Sequence, residues 1–187
     1  MWADTVILKF PLWWYSMPAF LKGWTDRVHS MGFADGNGEH NDKKWGDRYG
    51  WGKMLGKRAM VLVTVGGWKE HYSGRGICGP IDDLLFLITY GARYYIGFEV
   101  LSCFVMYQSD RADEAAFSAA AGGLRQRLRE LSTLEPVPFR PKNGGEYELP
   151  TLILKPELEP ASQSGFSVHT QPSTDGQDSQ HSHQYAL

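Results

Sequence analysis

Cysteine is scarce in this chain: Cys78 and Cys103 are the only two in 187 residues. They lie in different segments, so neither a disulfide framework nor a zinc site of closely spaced ligands is indicated. A buried thiol is the ordinary role for each, Cys103 above all. Long apolar runs are missing as well. Lys9, Asp26 and Asp82 interrupt the hydrophobic stretches well short of spanning length, and no charged, apolar and small-residue succession opens the chain. A cytoplasmic protein without a membrane partner is therefore expected. The formal net charge is only -2, and no Lys/Arg cluster interleaves with aromatics, which argues against a nucleic-acid partner. His29, His40 and His71 are too scattered to ligate a metal, and solvated surface histidines are their default. His181-Ser182-His183 reads as a polar low-complexity end, so no metal is expected anywhere.

What is present organises around one loop. Thr5-Val6-Ile7-Leu8-Lys9-Phe10 is β-branched or apolar almost throughout, which suits a strand covered on both faces in a parallel sheet. The run Pro11-Leu12-Trp13-Trp14-Tyr15 then leaves the carboxyl end of that strand, where open α/β sheets bind their ligands. Ser16 is placed as an N-cap and Pro18 in the first turn of a helix to Ser30, with Phe20, Leu21, Trp24 and Val28 on one face. Further along come a strand over Arg58 to Val65 ending in the pair Gly66-Gly67, a helix from Asp83 to Tyr90, a strand from Glu99 to Val105, and a helix from Asp113 to Leu134. This alternation predicts α/β architecture with right-handed crossovers. Residues 135–160 read as an extended arm. Residues 161–187, rich in Ser, Gln, His and Asp, read as a disordered tail.

Phe10 to Arg27, Ala59 to Gly67, Tyr72, Gly76-Ile77, Gly79 to Leu85 and Gly97 to Leu101, in that order, resemble the flavodoxin-like NAD(P)H:quinone oxidoreductases. That family includes ribosyldihydronicotinamide dehydrogenase (quinone). The likeness covers Ala3 to Leu134, and through Asn143-Gly144-Gly145 it extends to about Thr170 in the bacterial and fungal branch. It implies a flavodoxin-like three-layer αβα parallel sheet, here a partial domain over residues 1–134 lacking the first two strands and the phosphate loop. The strand starting at Thr5 would then be an open edge.

The resemblance also implies roles for residues. The ring of FAD or FMN would lie against Pro11, Leu12, Trp13, Trp14, Tyr15, Thr64, Val65, Gly66 and Gly67, held weakly or not at all without the phosphate loop. Tyr72 would be catalytic, stabilising charge on the reduced ring. NAD(P)H or ribosyldihydronicotinamide would donate electrons, and a quinone or other aromatic acceptor would lie against Trp14 and Tyr15, with Tyr94 and Tyr95 closing the pocket across a dimer. The partner would be a second copy or a full-length relative. Two departures stand out: Cys78 replaces a histidine of the mammalian enzymes, and Asp35 replaces a substrate-stacking tyrosine. Core packing explains Trp14 and Tyr15 as well as ligand binding does, and a tight turn explains the glycine pair. Three functions remain open at this level. They are a quinone reductase auxiliary to fungal secondary metabolism, a non-catalytic dimerisation partner, and a flavin-free small-molecule binding or tailoring protein.

Overall fold

In the computed structural model, residues 2–41, 43–159 and 165–172 are described. Strand β1 (Thr5–Pro11) leads to helix α1 (Ala19–Val28), then a small antiparallel hairpin of β2 (His40–Asn41) and β3 (Lys44–Trp45). Next come β4 (Arg58–Thr64), helix α2 (Ile81–Ile88), a π-helical turn over Thr89–Tyr94, β5 (Glu99–Val100), β6 (Phe104–Met106) and helix α3 (Glu114–Arg129). A second hairpin, β7 (Tyr147–Glu148) with β8 (Ile153–Leu154), lies in the arm.

The main sheet is parallel. β4 is its centre, with β1 on one side and β5 and β6 on the other. Val61 and Val63 of β4, Val65 just past it, and Leu8 and Phe10 of β1 pack against Met17, Ile81, Leu85 and Ile88, forming the first core cluster, with Leu21 of α1 packed against it. α1 and α2 therefore cover this face. Leu85 is wholly buried, so its truncation to alanine should cost about 3–5 kcal/mol. A second cluster gathers Ala59, Phe86, Tyr94, Phe98 and Phe139.

The predicted elements recur with shifted ends. α2 begins two residues earlier than the sequence suggested, with Pro80 preceding its first turn, and continues as the π-helical turn. The strand expected over Glu99 to Val105 is interrupted between β5 and β6. Ser16 does not cap α1; Pro18 stands at that position and no side chain bonds to the helix end. Asp113 does cap α3, accepting from the Ala116 N–H at 2.8 Å.

The boundary drawn at residue 160 is corrected too. Residues 165–169 form a 3-10 helix, and the Phe166 ring stacks on Phe86 at 4.4 Å while His169 stacks on Tyr90 at 5.5 Å. Arg140 reaches back to the carbonyl of Val168 at 2.8 Å and to Glu146 at 3.0 Å. Ring stacking and these bonds offset the ordering entropy that polar composition alone suggested would win. The remainder of that tail, including His181 and His183, lies outside the described residues.

Candidate functional site

The loop after β1 closes on itself. Ser16 N–H donates to the Trp13 carbonyl at 3.1 Å, and the two residues between, Trp14 and Tyr15, have φ of 50° and 61°. A tight turn with both central residues left-handed is ordinarily built from Asn and Gly. In an aromatic residue that backbone costs about 1–2 kcal/mol. The Trp14 ring, 95% exposed, gains nothing from burial in return. Such strain persists where the surroundings impose it, and it concentrates at ligand sites.

Tyr15 is tied to a second loop. Its hydroxyl lies 3.6 Å from Cys78 Sγ. Cys78 is itself set by its N–H, which donates to the His71 carbonyl at 2.9 Å. The chain reaches that point only because residue 76 is glycine, since a Cβ there would lie 2.2 Å from the carbonyl oxygens of Glu70 and His71. The contact with Cys78 raises the Tyr15 phenol's pKa. Burial, then Cys78, raises that of Tyr72. Both phenols therefore keep their protons, and their donor capacity, at neutral pH.

Tyr72 lies over Gly67 and against Tyr107, whose ring centre is 5.8 Å away. A Cβ on Gly67 would sit 2.9 Å from Tyr72 Cε2. Gly67 thus admits Tyr72, a role the sequence reading had assigned to a ligand. The structure brings Tyr15, Gly67, Tyr72 and Cys78 together at the carboxyl edge of β1 and β4. Pro11, Leu12, Trp13, Thr64, Val65 and Gly66 lie on the same edge. Among the described residues, the backbone N–H groups of Trp14, Tyr15, Gly66 and Gly67 donate to no protein acceptor. Beside them a cavity of about 440 Å³ is lined by Thr64, Met106, Ser109, Asp113 and Phe117.

Tyr94 and Tyr95 are elsewhere. Tyr94 is buried in the second cluster, donating to the Phe139 carbonyl at 3.0 Å. A side chain so enclosed cannot close a neighbour's pocket, which corrects its assignment to substrate. Tyr95 donates to Asp35 Oδ1 at 2.6 Å and accepts from Arg48 at 3.2 Å. That bond from Tyr95 holds the Asp35 carboxyl below its ordinary range.

His29 is also corrected. It is half-buried, with Nε2 3.2 Å from the guanidinium of the fully buried Arg93. Burial, then Arg93, lowers its pKa to about 4. The Arg93–His29 contact and the Tyr15–Cys78 contact were both missed. Their members stand 64 and 63 residues apart, and no local pattern announces either pair. A lone arginine inside the apolar run from Leu84 to Ile96 was the available signal for the first.

A parallel sheet whose carboxyl edge carries a strained aromatic turn, a glycine pair and a row of free backbone donors defines an α/β protein of the open-sheet class, in which ligands bind at that edge. The chain belongs to the flavodoxin-like fold family, whose signature matches residues 1–128. It is 55% identical over 169 residues to ribosyldihydronicotinamide dehydrogenase-like protein traD of Penicillium crustosum, covering 90% of this chain and 62% of that one. It is 36% identical to human ribosyldihydronicotinamide dehydrogenase [quinone], over 73% of this chain and 55% of the human one. A crystal structure from Klebsiella pneumoniae, of a protein provisionally assigned as a quinone reductase, superposes with a TM-score of 0.87 at 57% identity, over 90% of this chain and 65% of that one. The chain thus spans between about half and two thirds of the length of these relatives. No helix among the described residues is long and apolar enough to cross a membrane.

Proposed function

We propose that this chain carries the ring-binding edge of a flavin-dependent quinone oxidoreductase that takes electrons from NAD(P)H or ribosyldihydronicotinamide. The observation that carries this reading is the strained Trp14–Tyr15 turn beside free backbone donors. An isoalloxazine ring has flat faces and a polar edge of carbonyl and nitrogen acceptors, and this donor set fits it. Trp13, Trp14 and Tyr15 would lie along a face; the N–H groups of Gly66 and Gly67 would meet the polar edge. The flavin, FAD or FMN, supplies two-electron transfer when bound. The protein's part is electrostatic: Tyr72 and Tyr15 stay protonated and aim hydroxyl donors where negative charge gathers. With its thiol beside both phenols, Cys78 orients Tyr15 where an imidazole would relay a proton.

Likeness to the human and Penicillium proteins supports a quinone as acceptor, and the scarcity of cysteine, two in 187 residues, favours a cytoplasmic setting. An auxiliary reductase of fungal secondary metabolism is the role this likeness favours. Titration with FMN and FAD followed by fluorescence quenching, then stopped-flow mixing with NADH and a small naphthoquinone, tests this reading. Flavin binding, even if only micromolar, with ping-pong turnover supports the reductase. Absence of quenching at roughly hundredfold excess over that range refutes it for this chain.

A further inference from the structure

Arg93 carries a cation into the core, with only 1% of the residue exposed. The π-helical turn places it there. Tyr95 N–H donates to the Tyr90 carbonyl five residues earlier, and the widened turn brings the consecutive residues Arg93 and Tyr94 inside together. Such turns recur at functional sites. The guanidinium ends at the last turn of α1: its Nη1 lies 3.2 Å from His29 Nε2, and its Nη2 donates to Thr25 Oγ1 at 3.4 Å. Arginine has no acceptor, so His29 Nε2 accepts and the neutral ring carries its proton on Nδ1. His29 caps the carboxyl end of α1, its N–H donating to the Thr25 carbonyl at 3.0 Å. That end of a helix holds the partial negative charge of its last carbonyls, which favours a cation, and more so in a partly buried geometry.

We infer that Arg93 is a positioning residue for the aromatic turn: through Thr25 and α1 it fixes where Trp14 and Tyr15 stand. The placement of the turn follows from contacts alone, and its consequence for ring binding rests on the proposed flavin site. Thr25 is the link. Its buried hydroxyl accepts from Arg93 and turns its own proton to Met17 Sδ at 4.0 Å, and a hydroxyl polarised by a guanidinium is the stronger donor. Met17 follows Ser16, whose N–H closes the turn on Trp13, and belongs to the first core cluster with Phe10 and Val63. Rigidity is the second reason. The ten residues of α1 make a rod of about 15 Å. Pinned at its carboxyl end, the rod sets Pro18 and Met17 at the other, where no side chain caps it. Strain is the third. Two left-handed aromatic residues relax unless both flanks of their turn are held. The sheet holds one flank, Leu12 N–H donating to the Thr64 carbonyl at 2.9 Å. Arg93 holds the other, and the Tyr15 hydroxyl thereby reaches Cys78 at 3.6 Å.

Labelling of the 187-residue chain with iodoacetamide, read by peptide mass spectrometry, tests this. Cys78 is half-buried beside Tyr15 and reports on the turn; Cys103 is buried in the core and reports on the fold as a whole. Arg93→Met and Thr25→Val keep the bulk and break the link. Each should speed labelling of Cys78 about threefold to tenfold, the scale of one lost hydrogen bond, with Cys103 unchanged. Thr25→Ser keeps the hydroxyl and should label like wild type. Where riboflavin binds, its affinity should fall over the same range in the first two variants and hold in the third. Labelling needs no flavin, so a wild-type chain that never binds riboflavin refutes the flavin site while the thiol rates still decide the role of Arg93. Unchanged Cys78 labelling in Arg93→Met or Thr25→Val, Cys78 and Cys103 accelerated together, or Thr25→Ser behaving like Thr25→Val would each overturn the inference. So would riboflavin affinity untouched by both link-breaking variants.

Discussion

Replacing Trp14 with glycine should make the protein more stable and its ring binding worse. The φ of 50° at Trp14 costs about 1–2 kcal/mol in an L-residue. Glycine removes that cost but returns roughly 0.5–1 kcal/mol through the greater freedom of the unfolded chain. The side chain is 95% exposed, so no burial is lost on the folded side. The balance is a gain of about 0.5–1 kcal/mol, and a urea midpoint raised by roughly 0.3–0.5 M at a typical slope of about 2 kcal/mol/M. Trp14→Val supplies the opposite sign, because a β-branched residue is the least suited to left-handed backbone; its midpoint should fall by a similar amount. Riboflavin titration supplies the functional arm. Loss of one aromatic contact worth about 0.5–1.5 kcal/mol should weaken ring binding roughly twofold to twelvefold. A glycine variant less stable than wild type would show that the turn is not strained in solution. Unchanged riboflavin affinity would remove Trp14 from the site.

Three further outcomes are expected. Lowering the pH should destabilise the fold through His29, because its folded pKa of about 4 lies below the unfolded value of 6.5 and the unfolded chain binds the extra proton between them. After allowance for solvent screening, about 1–2 kcal/mol should be lost as pH falls from 6.5 to 4, and His29→Gln should flatten the urea-midpoint profile across that window. In flavin-loaded protein, Tyr72→Phe should slow quinone reduction on the order of tenfold with little loss of flavin, since one oriented donor is removed; unchanged stopped-flow rates would exclude the role. A chain ending at Glu159 should lose about 2–3 kcal/mol by removing the Phe166 and His169 stacks, whereas one ending at Pro172 should melt like the whole.

The two long strands were legible because Thr5 to Phe10 and Ala59 to Val65 are β-branched or apolar almost throughout; β4 is covered on both faces as that pattern predicts, whereas Ile7 and Lys9 leave one face of β1 exposed. The break between β5 and β6 was not, since Leu101-Ser102-Cys103 carries neither glycine nor proline and Ser102 alone is a weak turn signal. Helix ends suffered similarly, because Ile81 to Tyr95 is apolar enough to hide where α2 gives way to the π-helical turn. At the site, the loop from Pro11 to Tyr15 was visible by composition, but its left-handed turn was not, as Trp and Tyr are poor candidates for that backbone. Burial by tertiary contact was least legible. Tyr94 and His29 look like surface residues in sequence, and much of what encloses them, Phe139 and Arg93 among it, lies far away along the chain.

The rings of Phe86 and Tyr90 are sheltered by Phe166 and His169, which lie some eighty residues downstream. On the ribosome this separation becomes time. At roughly 5–20 residues per second, the face made by α2 and the π-helical turn waits about 4–16 seconds for its cover to be synthesised. Nascent chains therefore leave open, throughout that interval, the flank of these rings that Tyr49 and Phe139 do not cover. Slow codons between positions 90 and 169 would lengthen it without altering one atom of the finished protein.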